Sequence, residues 1–370
     1  MSAAALDDPI HFALPDELAA HDPPEARGVD RDEVRLLVSE SDTEAIHHTR
    51  FTHLAEFLQR GDVLVVNTSA TINASLPAIR DGSGDNRVRL HLSTQLSPTQ
   101  WAVELRHVTV KGSVPLFDAA AGERLLLPGD GEARLVERWP SPDDGGIGAR
   151  LWVCTLDLPN DPIEYTCRYG EPIRYSYVPR AWPLSYYQTM FSREPGSAEM
   201  PSAGRPLSPR VVAALTDRGV RIAAITLHTG VSSLETGERP YPERYRVPEA
   251  TAIAVNETRR NGGRVIAVGT TVVRALESAA SSGDVVSIDE RWRWTNLVVS
   301  SERPPGVVDG IVTGLHAPRA SHLAMLEAFA GRQRLLRAYD EALREQYLWH
   351  EFGDSHLIAP RRTDWPRRAA

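Results

Sequence analysis

Two short apolar runs, each broken by small and polar residues, most constrain how this chain folds. Ile222-Ala-Ala-Ile225 ends at Thr226-Leu-His-Thr-Gly230, and Arg264-Val-Ile-Ala-Val268 breaks at Gly269-Thr270-Thr271. Val272 to Ala280 then takes up helical spacing, with Val273, Leu276 and Ala280 on one face. Strand, connection, strand, helix is the grammar of an α/β sheet. In open sheets of this kind ligands sit beyond the carboxyl ends of the strands. His228 and the Gly269-Thr270-Thr271 turn fall at two such ends. The first turn of a helix carries unpaired N–H groups and a partial positive field. Thr270 and Thr271 therefore suit either a ligand carboxylate or an ordinary threonine cap. Arg274 and Glu277, about one turn on, anchor a ligand or pair with each other across i,i+3.

The 370 residues suffice for two domains or one large one. From residue 76 to 161 the character changes. Val88–Leu92, Trp101–Leu105, Arg124–Leu127, Ala133–Val136 and Arg150–Cys154 read as short strands separated by Gly, Pro and Asp turns, with no helix between them. This predicts a small all-β, barrel-like domain inserted into a discontinuous α/β domain made of residues 1–75 and 162–370. In the flanking parts, Val34–Val38 and Val63–Val66 read as strands, and Trp292–Val299 as another. Phe51–Leu58 has helical spacing. Ser208-Pro209 and Pro248-Glu249 open helices, and Ala320–Ala330 and Arg332–Leu348 are two more. Met1–Asp8 is expected to be disordered, and the basic tail Arg361–Arg368 to be surface or disordered.

A formal net charge of -8 opposes general affinity for nucleic acid, although a local basic patch is compatible with it. Cys154 and Cys167 lie in strand-like segments without zinc spacing and read as two buried free thiols. No apolar run is long enough to span a membrane and no signal-peptide pattern opens the chain, so a cytoplasmic protein without membrane contact is expected. No Walker loop, dinucleotide fingerprint or nucleophile elbow is present. His316, after a short strand, occupies a position like that of His228, and the two could share a cleft. Neither has metal-ligand spacing, and no metal is inferred. Asn67 ends an early strand, either as a turn residue bonding its own backbone or as a ligand contact. The aromatic-rich Tyr175, Tyr177, Trp182, Tyr186 and Tyr187 fit a packed segment, a dimer contact or a wall for a nucleobase.

Several segments together resemble the S-adenosylmethionine:tRNA ribosyltransferase-isomerase (QueA) family, in the family's order and across most of the chain. They are Leu14-Pro15, Gly61–Asn67, Tyr187-Gln188-Thr189, Pro201–Gly204, Thr226–Gly230, Ala267–Glu277, Asp309-Gly310, His316 with Pro318, and Phe352-Gly353-Asp354. The resemblance implies an α/β domain carrying an inserted β-barrel. It also implies transfer and isomerisation of the ribosyl part of S-adenosylmethionine onto a 7-aminomethyl-7-deazaguanine base in tRNA, giving epoxyqueuosine and releasing adenine and methionine. S-adenosylmethionine is then a consumed substrate, no separate cofactor is needed, and tRNA is the second partner. The chemistry needs a base beside the sulfonium, a donor for departing adenine and a seat for the methionine carboxylate. On this resemblance His228, His316 and Glu243 are the catalytic candidates. Asn67, Tyr187, Gln188, Ser202, Gly204, Thr229, Gly230, Gly269, Thr270, Thr271, Arg274 and Asp309 are the substrate-binding ones.

The chain departs from the family pattern at several polar positions. An Asn-Asp-Thr-Arg run is here Asn67-Thr68-Ser69-Ala70, and a downstream arginine is Ser75. A Gly-Leu-His-Phe segment is Gly204-Arg205-Pro206-Leu207. A His-x-Met-His-x-Glu segment is Glu238-Arg-Pro-Tyr-Pro-Glu243, which keeps only the glutamate. The alternatives to the family reaction are a paralogue acting on another nucleoside or S-adenosylmethionine-derived substrate without tRNA, and a non-catalytic ligand-binding protein.

Overall fold

The computed structural model describes residues 9–81, 86–109, 112–140, 150–231, 240–281 and 285–361. Met1–Asp8, Glu238-Arg239 and the tail after Arg361 lie outside these residues.

The chain begins with β1 (Arg35–Glu40), β2 (Ile46–Arg50), β3 (Val63–Asn67) and β4 (Ser69–Thr71). It continues through β5 (Ser75–Arg80), β6 (Arg87–Gln95), β7 (Gln100–Thr109), β8 (Gly112–Pro115), β9 (Arg124–Leu127), β10 (Gly131–Trp139) and β11 (Leu151–Asp157). Then come α1 (Pro162–Tyr169), β12 (Glu194–Ser197), α2 (Pro209–Asp217), β13 (Arg221–Leu227), β14 (Glu243–Arg246), α3 (Glu249–Arg260), β15 (Val265–Val268) and α4 (Thr270–Ala279). The short β16 (Ala280–Ser281), β17 (Val285–Val286) and β18 (Arg293–Thr295) precede β19 (Gly310–Gly314), α5 (His322–Ala330), α6 (Arg332–Arg344) and β20 (Ser355–Ala359).

A nine-stranded sheet runs β18-β14-β13-β3-β15-β19-β20-β1-β2. Its centre, β13-β3-β15-β19, is parallel. Buried on both faces, β3 and β15 read as continuous apolar runs; all five residues of β3 and all four of β15 are buried. The helices α3 and α4 and the pair α5–α6 pack with the sheet through one core, while α2 and the Phe51–Phe57 segment cover the other face.

Strands β5 to β11 form a separate sheet in the order β11-β10-β9-β5-β6-β7-β8, closed by pairing of β11 with β7. Closure removes the exposed edges that a short antiparallel sheet otherwise presents. Its interior holds Leu76, Leu90, Trp101, Val103, Leu125, Leu135 and Cys154. An α/β frame carrying a closed barrel is therefore the observed fold class.

Three local expectations change. Phe51–Phe57 is a 3₁₀ helix, and Phe51, Leu54 and Phe57 recur at every third residue, the repeat that the tighter helix places on one side. Cys167 is exposed and helical, because Asp161 caps α1 by accepting from Ile163 N (2.9 Å) with Pro162 in the first turn; only Cys154 is a buried thiol. The strand expected over Trp292–Val299 shrinks to Arg293–Thr295 because the carbonyls of Thr295 and Leu297 accept hydrogen bonds from Arg274. Among the described residues no helix is long and apolar enough to cross a membrane.

A buried ion pair ties the amino-end side of the sheet together. Asp62 has no exposed side chain and meets Arg264 at 2.6 Å. Arg264 also donates to the carbonyls of Phe57 (3.0 Å) and Pro360 (2.7 Å). The Arg264→Ala variant leaves a buried, unpaired carboxylate and is expected to lose about 3–5 kcal/mol; urea unfolding followed by circular dichroism measures it.

Candidate active site

A cavity of about 360 Å³ opens at the carboxyl ends of β13, β15 and β19. Its walls include Thr229 and Gly230 after β13, Gly269 to Thr271 at the start of α4, and Gly314 to Ala317 after β19. The strand ends are held in place by Asn67. Its buried amide donates to Leu227 O (2.9 Å) and Thr271 Oγ1 (3.3 Å), while its carbonyl oxygen accepts from Leu227 N (3.1 Å) and Ser69 N (3.0 Å).

Two glycines permit close approaches here. Gly269, at φ +92°, turns β15 directly into α4, a backbone conformation that side chains resist. At Gly230 a Cβ would lie 2.6 Å from Ser93 Oγ of the barrel, and Ser93 Oγ accepts from Val231 N at 3.0 Å. The segment after β13, which lines the cavity, is thus packed directly on the barrel.

Arg274 and Glu243 form a buried ion pair in the wall. Arg274 also donates to Leu297 O (3.1 Å), Tyr241 O (3.2 Å) and Thr295 O (3.2 Å). The other oxygen of Glu243 accepts from Gly230 N at 3.0 Å. Burial pushes the Glu243 carboxyl up, with Arg274 and the Gly230 N–H pulling against it. Arg274 is therefore committed to protein groups. Glu277 is not its partner; it accepts from the N–H groups of Gly306, Val307 and Val308.

His316 lines the cavity. Its Nε2 is 2.9 Å from Thr313 Oγ1, and its ring stacks on His322 with centroids 4.5 Å apart and planes 1° apart. Burial, then the neighbouring His322, His350 and His356, lowers its pKa well below the ordinary value. Burial first, and Arg274 second, brings His322 down to about 4. Both rings are neutral at pH 7.

Nine of the predicted residues therefore meet at one cavity: Ser202, Thr229, Gly230, Glu243, Gly269, Thr270, Thr271, Arg274 and His316. Thr229 Oγ1 is enclosed there without a partner among the described residues. The other six do not line it. His228 shares a 2.8 Å hydrogen bond with Ser69 Oγ and stacks on Trp292 at 4.9 Å; burial, then Arg244 and Arg246, lowers it to about 4. Asn67 clamps the strands as described. Tyr187 packs on Phe352, and Gln188 pairs with both backbone groups of Thr71. Gly204 is buried against Thr189. Asp309 precedes β19 and accepts from Val265 N at 2.8 Å, at the opposite end of the strands. Conversely, the wall contains Glu199, His322, His350 and Glu351, which sequence reasoning did not select as site residues, and Tyr175 and Tyr177, for which a nucleobase wall was one of three readings. The polar His350-Glu351 between Trp349 and Phe352 was the available signal.

The family model described as queuosine biosynthesis protein matches residues 8–358. The chain belongs to that family. It is 34% identical to the S-adenosylmethionine:tRNA ribosyltransferase-isomerase of Pelotomaculum thermopropionicum over 361 residues, covering 94% of this chain and 98% of the relative. It is also 34% identical to the protein of the same name from Gloeobacter violaceus, covering 96% of each. Among solved structures, the S-adenosylmethionine tRNA ribosyltransferase of Thermotoga maritima matches with a TM-score of 0.51 and 27% identity, covering 94% of this chain and 99% of that one. The barrel-bearing α/β architecture is therefore that of the queuosine family, and the cavity lies within the matched region.

The depressed His322 gives a pH test. Between about pH 4 and 6.5 the unfolded chain binds a proton at His322 that the folded chain does not, so wild-type stability falls as pH drops through this window. His322→Phe keeps a ring for stacking and removes that loss. Its stability relative to wild type is expected to rise by on the order of 2 kcal/mol from pH 6.5 to pH 4, read from chemical unfolding at each pH.

Proposed function

We propose that this chain is an S-adenosylmethionine:tRNA ribosyltransferase-isomerase that consumes S-adenosylmethionine and modifies a 7-aminomethyl-7-deazaguanine base in tRNA to epoxyqueuosine. The observation carrying this reading is that one cavity gathers a neutral histidine, His316, and the amino end of α4 at Gly269-Thr270-Thr271. The near full-length likeness to enzymes of that name supports it.

The roles follow from the chemistry. The helix end offers N–H groups and threonine hydroxyls to the methionine carboxylate. His316, kept neutral by burial, is the group placed to accept the proton released beside the sulfonium, and Thr313 fixes its orientation. The acid formed can then return a proton to departing adenine. Arg274 acts through Glu243, shaping the wall and leaving the carboxylate to the helix end. His228 lies behind the wall and supports the strand end. No observation favours the paralogue or the non-catalytic alternative.

Incubation with S-adenosylmethionine is expected to release adenine and methionine only when tRNA bearing the deazaguanine precursor is present. Release without RNA, or tight binding with no release, overturns the reading. The His316→Ala variant is expected to lower the single-turnover rate by on the order of 10²–10⁴-fold while retaining S-adenosylmethionine binding.

A further inference from the structure

One part of the cavity wall is acidic and aromatic, and the roles above leave it unused. Glu351 follows α6 and lines the cavity. Its Oε2 accepts from Tyr177 OH at 3.1 Å, while its Oε1 is enclosed and has no hydrogen-bond partner among the described residues. Glu199 lines the same cavity and accepts from Tyr175 OH. The rings of Tyr175 and Tyr177 stack at 5.6 Å, and Tyr177 stacks on His350 at 4.0 Å. These groups come from three separate stretches of chain.

A buried acceptor left without a donor is costly, and such groups in native structures are usually satisfied by a ligand or water. A neutral donor could satisfy one oxygen, but the charge balance around it favours more. Among the described lining residues the sole arginine or lysine, Arg274, is committed to Glu243. Burial, and then the neighbouring Glu199 charge, brings Glu351 up to about 8; Tyr177 and Arg205 pull against this without reversing it. Held up in this way, Glu351 keeps its proton at neutral pH; a cation beside it favours the ionised form and offsets repulsion from Glu199, and aromatic faces attract the cation.

We propose that Glu199 and Glu351, with the Tyr175–Tyr177–His350 stack, form a subsite that receives an organic cation of the substrate. Resting on the proposed reaction, that cation is supplied by S-adenosylmethionine or by the aminomethyl group of the deazaguanine base. Glu351 and Glu199 are binding residues here, and the neutral His316 stays free for proton transfer.

Calorimetric titration of the full chain tests this without turnover. The ligands are S-adenosylmethionine, free 7-aminomethyl-7-deazaguanine and uncharged 5′-methylthioadenosine. Glu351→Gln keeps the shape and is expected to weaken one of the two cations by about tenfold while leaving 5′-methylthioadenosine unchanged. The cation that weakens identifies the source. If it is S-adenosylmethionine, S-adenosylhomocysteine, which keeps the ammonium and lacks the sulfonium, separates its two charges. Glu199→Gln, on a different segment, is expected to repeat the pattern and serves if Glu351→Gln does not fold. Unchanged affinity for both cations, or an equal loss for 5′-methylthioadenosine, overturns the subsite. So does a wild-type protein that binds neither cation more tightly than the uncharged probe. Cation binding through Glu351 without adenine release in the presence of tRNA overturns the reaction and leaves the subsite standing.

Discussion

The guanidinium of Arg274 has to be satisfied where water does not reach it, and much of the site is arranged around that requirement. Its donors go to the Glu243 carboxylate and to the carbonyls of Tyr241, Thr295 and Leu297. One side chain on α4 thereby fixes β14, the segment leading into it and the loop after β18. Glu243 passes the constraint on by accepting from Gly230 N, whose neighbour Val231 bonds the barrel at Ser93. Helix, hairpin, loop and barrel meet through one buried pair. Such a pair contributes little net stability compared with an apolar replacement, but breaking it strands a charge, so it specifies geometry more strongly than it adds free energy.

This explains which parts of the molecule were legible in the sequence. The parallel strands announce themselves because burial on both faces makes them unbroken apolar runs, as in Val63–Val66 and Val265–Val268. The barrel strands are visible through their turns, and the helices α2 and α3 through a proline at the start. Strand length at β18 was not legible, since it depends on Arg274 reaching carbonyls some twenty residues away. The roles of Asn67 and Asp309 were hidden for the same reason. Both are polar residues beside strands, and only the packed sheet shows that one clamps the ends of β3 and β13 to the start of α4 while the other faces away from the cavity. Family likeness places residues near a site; it does not distinguish those that touch a ligand from those that hold the touching residues in place.

The polar groups missing from the family pattern acquire a different meaning in three dimensions. His-x-Met-His-x-Glu reduces to Glu243, and Gly-Leu-His-Phe gives Arg205 in place of a histidine region. Arg205 is not solvent-facing: it is buried, pairs with Glu25 at 2.7 Å and donates to Tyr186 O. The cavity meanwhile contains His316, His322, His350, Glu199 and Glu351. The cavity is therefore polar without those groups, and the residues that make it so come from stretches far apart in the chain that converge only on folding.

The electrostatics of the cavity follow from burial and pairing of these groups. Burial lowers the pKa of each wall histidine, so His316, His322 and His350 add no positive charge at neutral pH. Arg274 and Glu243 cancel each other within the wall. Among the described lining residues, what faces the interior is then the partial positive end of α4, with its N–H groups, and the carboxyl groups of Glu199 and Glu351. A ligand carrying both a carboxylate and a cationic centre matches that pair of features, whereas a simple anion or an uncharged nucleoside matches at most one. In a cavity of low polarisability such matching counts for more than it would in water, because neither charge has solvent to fall back on. The same burial that disfavours a proton on His316 holds one on Glu351, so that a cation beside Glu351 is what favours its ionised form.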